Sequence, residues 1–311
     1  MRILITGGAG FLGAALANSL VEEGHHVRVI DDLSTGDPAS LSEDVLFTRG
    51  DVRDIPKLWT VLRDVDVVYH LAARISIPES ILYPVEYNDV NTGGTVSLMT
   101  AMRDAGVGRV VMASSATIYG EQPVQPIQEW VDPNPPNPYA VSKLAAEHYI
   151  RAIGGLYNIE TVILRIFNAY GAPQNLPPSH APVIPRFVDR ALRGESLVIW
   201  GNGKHTRDYI HVDDITNAMK AAGKAQVADG TIINVGSGHE LSVNRLVDTI
   251  GEIVGVVLHP LHNEAQSGGI KRSMADITRA SKLLDWEPRI SLEEGLRRTV
   301  ARMKNPMKRV A

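Results

Sequence analysis

The chain has 311 residues, of which 44% are hydrophobic and 21% charged, and a formal net charge of −4. That length buries a large core, near the size at which cores divide, so one large domain or a main domain with a smaller lobe is expected. Mixed charge offers no basic face for nucleic acid, and the lack of cysteine excludes disulfides, thiolate metal sites and a cysteine nucleophile together.

Met1 and Arg2 lead directly into a strand with no leader-like apolar region before it. No run of ~18 apolar residues could span a bilayer. A soluble, cytoplasmic α/β protein is therefore expected. In chain order, "RILITGG", "HVRVID", "VLFTRGD", "DVVYHLA" and "RVVMASS" read as strands. Between them, "FLGAALANSLVEEG", "IPKLWTVLRD" and "VNTGGTVSLMTAMRDAG" read as helices, the alternation of a parallel sheet covered on both faces. A helix from "NPYAVSKLAAEH" through "AEHYIRAIGGLY" and a strand "ETVILRIFNAYG" continue the pattern. After residue 170 the texture changes. "GAPQNLPPSHAPVIP" is loop-like, "VIWGNG" and "TRDYIHV" look like small strands, and "SVNRLVDTIGEIVG" and "SLEEGLRRTVARMK" look like helices. The expected division is a main domain over 1–170, its sheet completed by later segments, and a smaller C-terminal α/β lobe over 171–311 that covers the ligand-binding sheet edge.

Gly7, Gly10 and Gly13 lie in "GGAGFLG" between the first strand and helix, where absent Cβ atoms let backbone approach a pyrophosphate at a helix N-terminus. Asp31 ends the second strand, where a carboxylate would bond the adenosine ribose; the plainer alternative is a strand-end cap. No arginine follows in "DDLSTG", so a 2′-phosphate would meet repulsion and NAD is favoured over NADP.

Six prolines fall between positions 121 and 138 and deliver the chain stiffly into "PYAVSK". Tyr139 and Lys143 stand four apart, one helical turn, on one face. A phenol with a pKa around 10 is a poor base, and a neighbouring cation would favour its phenolate. Ser114 and Ser115 end a strand upstream and could offer a hydroxyl to the same reacting oxygen.

Together "TGGAGFLG", "DDLSTG", "GDVRD", "HLAA", "SSATIYG", "PYAVSK", "RIFNAYG", "TRDYIHVDD" and "INVGSG" occur in order over nearly the whole chain. The set resembles the extended short-chain dehydrogenase/reductases, particularly the NAD-dependent UDP-sugar 4-epimerases. The resemblance implies a doubly wound parallel (Rossmann) sheet, NAD as cofactor, and a nucleotide-sugar substrate, most like UDP-glucose and UDP-galactose. It implies that Tyr139 removes the proton of the sugar 4-hydroxyl, helped by Lys143, with Ser115 on the same oxygen and Thr117 beside it. Phe11, Leu12, Asp32, Asp51, Val52, Leu71, Ala72, Ala73, Asn91 and Ser114 would join the glycines and Asp31 around the cofactor. Asn168, Arg207 and Ser273 would meet the substrate. Read from the residues alone, Arg207 could instead pair with Asp213 or Asp214, Asn168 could be a turn residue, and His70 is better placed as packed than catalytic. No metal is expected at His259, His262 and Glu264, which lack a further ligand.

Dehydratases of this kind carry an Asp-Glu pair where Ala116 and Thr117 stand here, so elimination is disfavoured and epimerisation is expected. Asn175 in "YGAPQN" replaces the arginine that uronate epimerases tend to carry, and a small Ser273 would leave room for N-acetylhexosamines. Gln266 stands where a second diphosphate arginine is usual, and Ile75 beside Arg74 where a lysine is common. The resemblance also implies a homodimer through segments 88–105 and 140–155.

Overall fold

The β-branched runs fold into β1 (Arg2–Thr6), β2 (His26–Asp31), β3 (Leu46–Arg49), β4 (Val67–His70), β5 (Arg109–Ser115) and β6 (Glu160–Ile166) in a computed structural model of the protein, which describes residues 1–172, 174, 182–226, 229–263, 265 and 269–304. Beyond them lie β7 (Asn168–Tyr170), β8 (Val198–Trp200), β9 (Thr206–His211), β10 (Thr231–Val235), β11 (Glu240–Ser242) and β12 (Leu261–Asn263). The large sheet has the order β10-β6-β5-β4-β1-β2-β3 and every pairing in it is parallel. Its direction of build-up reverses between β1 and β4, which opens a crevice at the carboxyl ends of those strands.

Ile3, Leu4 and Ile5 of β1 are all buried, because helices cover both faces and no strand face meets water. On one face Leu16 and Leu20 of α1 (Phe11–Glu22) pack with Ile215 and Met219 of α8 (Val212–Lys224) and Leu284 of α10 (Thr278–Leu284). On the other, Leu58 of α2 (Ile55–Val61), Leu98 and Met102 of α5 (Gly94–Ala105) and Ile150 of α6 (Pro138–Tyr157) form a second core. Asn137 caps α6, accepting from Ala140 N at 2.9 Å, and Pro138 follows where a missing N–H costs nothing.

The smaller lobe packs α7 (Val183–Arg193), α9 (Val243–Val254) and α11 (Leu292–Lys304) around Tyr170, Phe187 and Tyr209. It carries a three-stranded sheet β11-β9-β7 and a parallel pair β12-β8.

Several expectations change. The single strand foreseen over "ETVILRIFNAYG" is two, because the chain leaves the large sheet at buried Phe167, whose N–H bonds Val235 O at 2.9 Å, and enters the small sheet as β7. The second helix stops at Val61, short of Asp64, whose φ of 57° is incompatible with continuing a right-handed helix. The helix foreseen from residue 90 is preceded by α3 (Ile77–Leu82), α4 (Pro84–Tyr87) and a π-helical turn, Asn88–Gly93. The proline-rich segment is stitched to the later chain: Ile127 N donates to Met274 O at 2.7 Å and Asp276 N to Ile127 O at 2.9 Å.

Candidate active site

A cavity of about 290 Å³ occupies the crevice. At its floor the chain turns from β1 into α1 through Gly7, Gly10 and Gly13. Gly10 is the N-cap of α1 and has no side chain to satisfy the first-turn N–H groups, which leaves a helix N-terminus suited to an anion. Gly7 has φ 68°, and a Cβ there would stand 2.6 Å from Ala72 N. One on Gly13 would stand 2.3 Å from Gly7 O. Only glycine lets β1, the end of β4 and α1 touch this closely, and the result is a backbone cradle fit for a pyrophosphate.

Asp31 lines the same cavity and also serves as the cap that was its alternative reading. Its oxygens accept from Ala9 N at 3.0 Å and Leu33 N at 2.9 Å, yet a carboxylate has further lone pairs to offer. Burial pushes its pKa up, and the backbone bonds from Leu33 and Ala9 oppose that. Asp51 is held below the usual carboxylate range by Arg53, whose Nε lies 2.9 Å from Oδ1. The sequence reading did not foresee this guanidinium beside a cavity carboxylate; the signal was the Asp-x-Arg spacing in "GDVRD".

Phe11, Leu12, Asp32, Val52, Leu71, Ala72, Ala73, Ser114, Ser115, Tyr139 and Lys143 also line the cavity. Tyr139 is 9% exposed and Lys143 3%. Burial raises the phenol's pKa, and the facing Ser115 hydroxyl pulls it back. Burial likewise pushes Lys143 down to about 8, against a carboxylate at Glu147. The expected lowering of the tyrosine by the lysine does not show in the direction of its shift: desolvation penalises phenolate and ammonium alike and is the largest cause at both groups. Ser115 Oγ accepts from Thr117 N at 3.2 Å and donates to Thr117 Oγ1 at 3.0 Å, so the hydroxyl is held at the strand end. Thr117 itself does not line the cavity among the described residues.

Ser114 lines the cavity, but its hydroxyl turns away to Glu147, as alternation along a strand requires. Asn91, expected at the cofactor, is a correction of a similar kind. It is 1% exposed and outside the lining; its amide accepts from Arg74 N at 2.8 Å and donates to Ser142 Oγ at 2.9 Å. Ser142 Oγ in turn donates to Tyr139 O at 2.8 Å, so Asn91 braces the cavity wall against the helix that carries the tyrosine. His70 is buried between Thr6 Oγ1 at 2.8 Å and Thr95 Oγ1 at 2.9 Å, and burial drives its pKa to about 3. It is a packed, neutral residue.

The expected substrate residues cluster around β9 rather than on the cavity wall. Asn168 is a strand residue, not a turn, and donates to Asp208 O at 2.9 Å. Arg207 donates to Thr206 O at 2.8 Å and Ile270 O at 2.6 Å, while Arg298 takes Asp213 and the backbone of Arg289 and Ile290 takes Asp214. Ser273 is buried, and its carbonyl accepts from Asp208 N at 2.9 Å. His262 Nε2 bonds Asn244 Oδ1 at 3.1 Å. Glu264, Gln266 and Asn175 lie outside the described residues.

Residues 3–236 match the family described as the NAD dependent epimerase/dehydratase family. The chain belongs to this family. Among curated relatives of the epimerase/dehydratase family it is 37% identical over 313 residues to UDP-glucose 4-epimerase of Mycolicibacterium smegmatis, covering 98% of this chain and 99% of that protein. Among solved structures it is similar to the UDP-glucose 4-epimerase of Thermotoga maritima with UDP-glucose, at TM-score 0.94 and 34% identity over 99% of this chain and all (100%) of the other. It is also similar to the UDP-N-acetylglucosamine 4-epimerase of Methanobrevibacter ruminantium in complex with UDP-N-acetylmuramic acid, at TM-score 0.92 and 32% identity over 98% and 99% of the two chains.

Cavity residues that the sequence reading missed include Ser34, Thr35, Gly50, Val90, Phe167, Gln174 and Pro182. Ser34 and Thr35 belong to the quoted "DDLSTG", so the motif was visible and only its reach was underrated. Phe167 arrives there through the change of sheet, which no local pattern announces.

Proposed function

We propose that the protein is an NAD-dependent 4-epimerase of UDP-hexoses, interconverting UDP-glucose and UDP-galactose through a 4-keto sugar. The observation that carries this reading is the meeting of Tyr139, Ser115 and Lys143 on a cavity that continues to the glycine cradle. Full-length similarity to UDP-glucose 4-epimerases supports it. NAD, held by the glycine cradle and Asp31, would supply the redox chemistry at the sugar C4.

The chain's own residues do the rest. The glycine loop and the α1 N-terminus hold the pyrophosphate, and Asp31 holds the adenosine ribose. Tyr139 Oη takes the 4-hydroxyl proton and later returns it, and Ser115 Oγ hydrogen-bonds the same sugar oxygen. The Lys143 ammonium offsets the negative charge on the phenolate, a contribution present below about pH 8 and lost as pH rises through it. Residues 1–170, with β10, carry the cofactor, and 171–311 mainly carry the nucleotide sugar, with Arg207 and Ser273 on that side and Asn168 at the boundary. Ala116 and Thr117 supply no acid and base for eliminating water.

Enzyme as purified, given UDP-galactose and no added NAD, is expected to yield UDP-glucose by chromatography. Strict dependence on stoichiometric NAD with accumulation of NADH would contradict an epimerase and point to a dehydrogenase.

The protein acts in the cytoplasm as a homodimer. No helix among the described residues is long and apolar enough to cross a membrane. Val141, Tyr149 and Leu156 form an exposed apolar stripe along α6, beside α5. Sedimentation should give a dimer, with Tyr149→Glu moving it toward monomer; a wild-type monomer at micromolar concentration refutes the assembly.

A further inference from the structure

Asp51 and Arg53 sit on the short link between β3 and α2. Gly50 N donates to Asp31 O at 3.0 Å, which holds this link beside the end of β2, and Asp51 lines the cavity. Arg53 is not part of the lining among the described residues and reaches the carboxylate from outside it. Its backbone N lies 2.8 Å from Asp51 Oδ1, its Nε 2.9 Å from Oδ1 and 3.1 Å from Oδ2, and its Nη2 2.5 Å from Oδ2. The Asp51 side chain is 32% exposed and that of Arg53 46%, and an ion pair so open to water adds little stability. What a forked guanidinium–carboxylate pair does provide is a fixed direction.

That direction matters because of where Asp51 stands. The sheet runs outward from β1 through β2 to its edge at β3. The glycine cradle follows β1, Asp31 ends β2, and Asp51 follows β3. With the pyrophosphate at the first and the adenosine ribose at the second, the adenine base falls at the third. Adenine presents an exocyclic amine, which donates, and a carboxylate has about four lone-pair sites to receive it. Three N–H groups of Arg53 fill three of those sites, two of them on Oδ1, so room for one more donor remains on Oδ2.

We propose that Arg53 is a positioning residue for the cofactor: its fork holds the Asp51 carboxylate so that the remaining lone pair meets the adenine amine, and the pair selects adenine over a base with a carbonyl at that place. This rests on the proposed path of NAD along the crevice and not on the epimerase chemistry. A carbonyl there would set oxygen against oxygen.

Bound nucleotide is removed from the full chain with mild denaturant. The protein is then equilibrated with an equimolar mixture of NAD and nicotinamide hypoxanthine dinucleotide, whose base carries oxygen in place of the amine. Chromatography after denaturation gives the ratio bound. Wild type is expected to favour NAD by about tenfold or more, the size of one hydrogen bond to a charged group. Asp51→Ala sets the ratio that is left without the carboxylate. In Arg53→Met the ratio falls to that of Asp51→Ala, while the unfolding temperature of the stripped protein changes little. Arg53→Lys, a point charge without the fork, gives a ratio between those of Arg53→Met and wild type. A wild-type ratio near one, or Arg53→Met at the wild-type ratio, overturns the proposal. Lost occupancy at an unchanged ratio overturns it too, because a purely structural role would do that. If the ratios change as expected but wild type converts no UDP-galactose, the proposal stands and the epimerase reading fails instead.

Discussion

Tyr139→Phe is expected to lower kcat by about 10²–10⁴-fold, the range ascribed to a single general acid–base group, while leaving the fold and bound nucleotide in place. The substitution removes one oxygen and no ring, so the buried packing at residue 139 survives. The bond from the Ser142 hydroxyl to Tyr139 O is untouched. What disappears is the atom that faces Ser115 and that, in the proposed mechanism, receives the proton. Chromatography of UDP-galactose turnover gives the rate, and release of nucleotide on denaturation gives occupancy. A variant with full occupancy that keeps more than about a tenth of wild-type kcat would remove the phenol from the mechanism.

Gly13→Ala should be the most damaging substitution for the cofactor. The new Cβ would fall 2.3 Å from Gly7 O and 2.6 Å from Gly8 Cα, both backbone atoms. The loop cannot retreat, because Gly7 N is bonded to Ile30 O at 2.9 Å and Gly7 lies hard against Ala72. Overpacking of this sort costs about 1–3 kcal/mol or more, and a similar loss in binding is about five- to 150-fold in affinity. The protein should purify without nucleotide and melt at a lower temperature. Gly10→Ala makes the contrast: its Cβ meets only Gly7 O, at 3.3 Å, so it should fold normally and still lose nucleotide. Normal occupancy in both variants would mean that the cradle is not where the pyrophosphate sits.

What could be read from the sequence follows from how far each force reaches along the chain. The parallel strands were legible because burial on both faces leaves apolar runs rather than alternation, as in β1 and the first half of β5. Tyr139 and Lys143 were legible because helical spacing alone puts them on one face. The direction of the Tyr139 pKa was not, since spacing names a neighbour but says nothing of desolvation. Nor was the grip of Arg165 on Glu147, which depends on β6 lying beside β5 under α6. The break at Phe167 was hidden because an apolar residue fits the strand pattern on either side of it. Asn91 was expected at the cofactor, whereas its bonds come from Arg74 and Ser142, residues 17 and 51 positions away, which no local pattern shows.

The change of sheet at Phe167 bears on how a sugar could present both faces. Its N–H is tied to Val235, and next door Asn168 is tied to Asp208 O. The Asp208 carboxylate, fully buried, accepts from Ser237 N, Ser237 Oγ, Gly238 N and Ala275 N. A clamshell swing about this seam would strip several buried donors of their acceptor at once. On the proposed mechanism, inversion of the ketone would come from torsion within the ligand rather than from a swing about this seam.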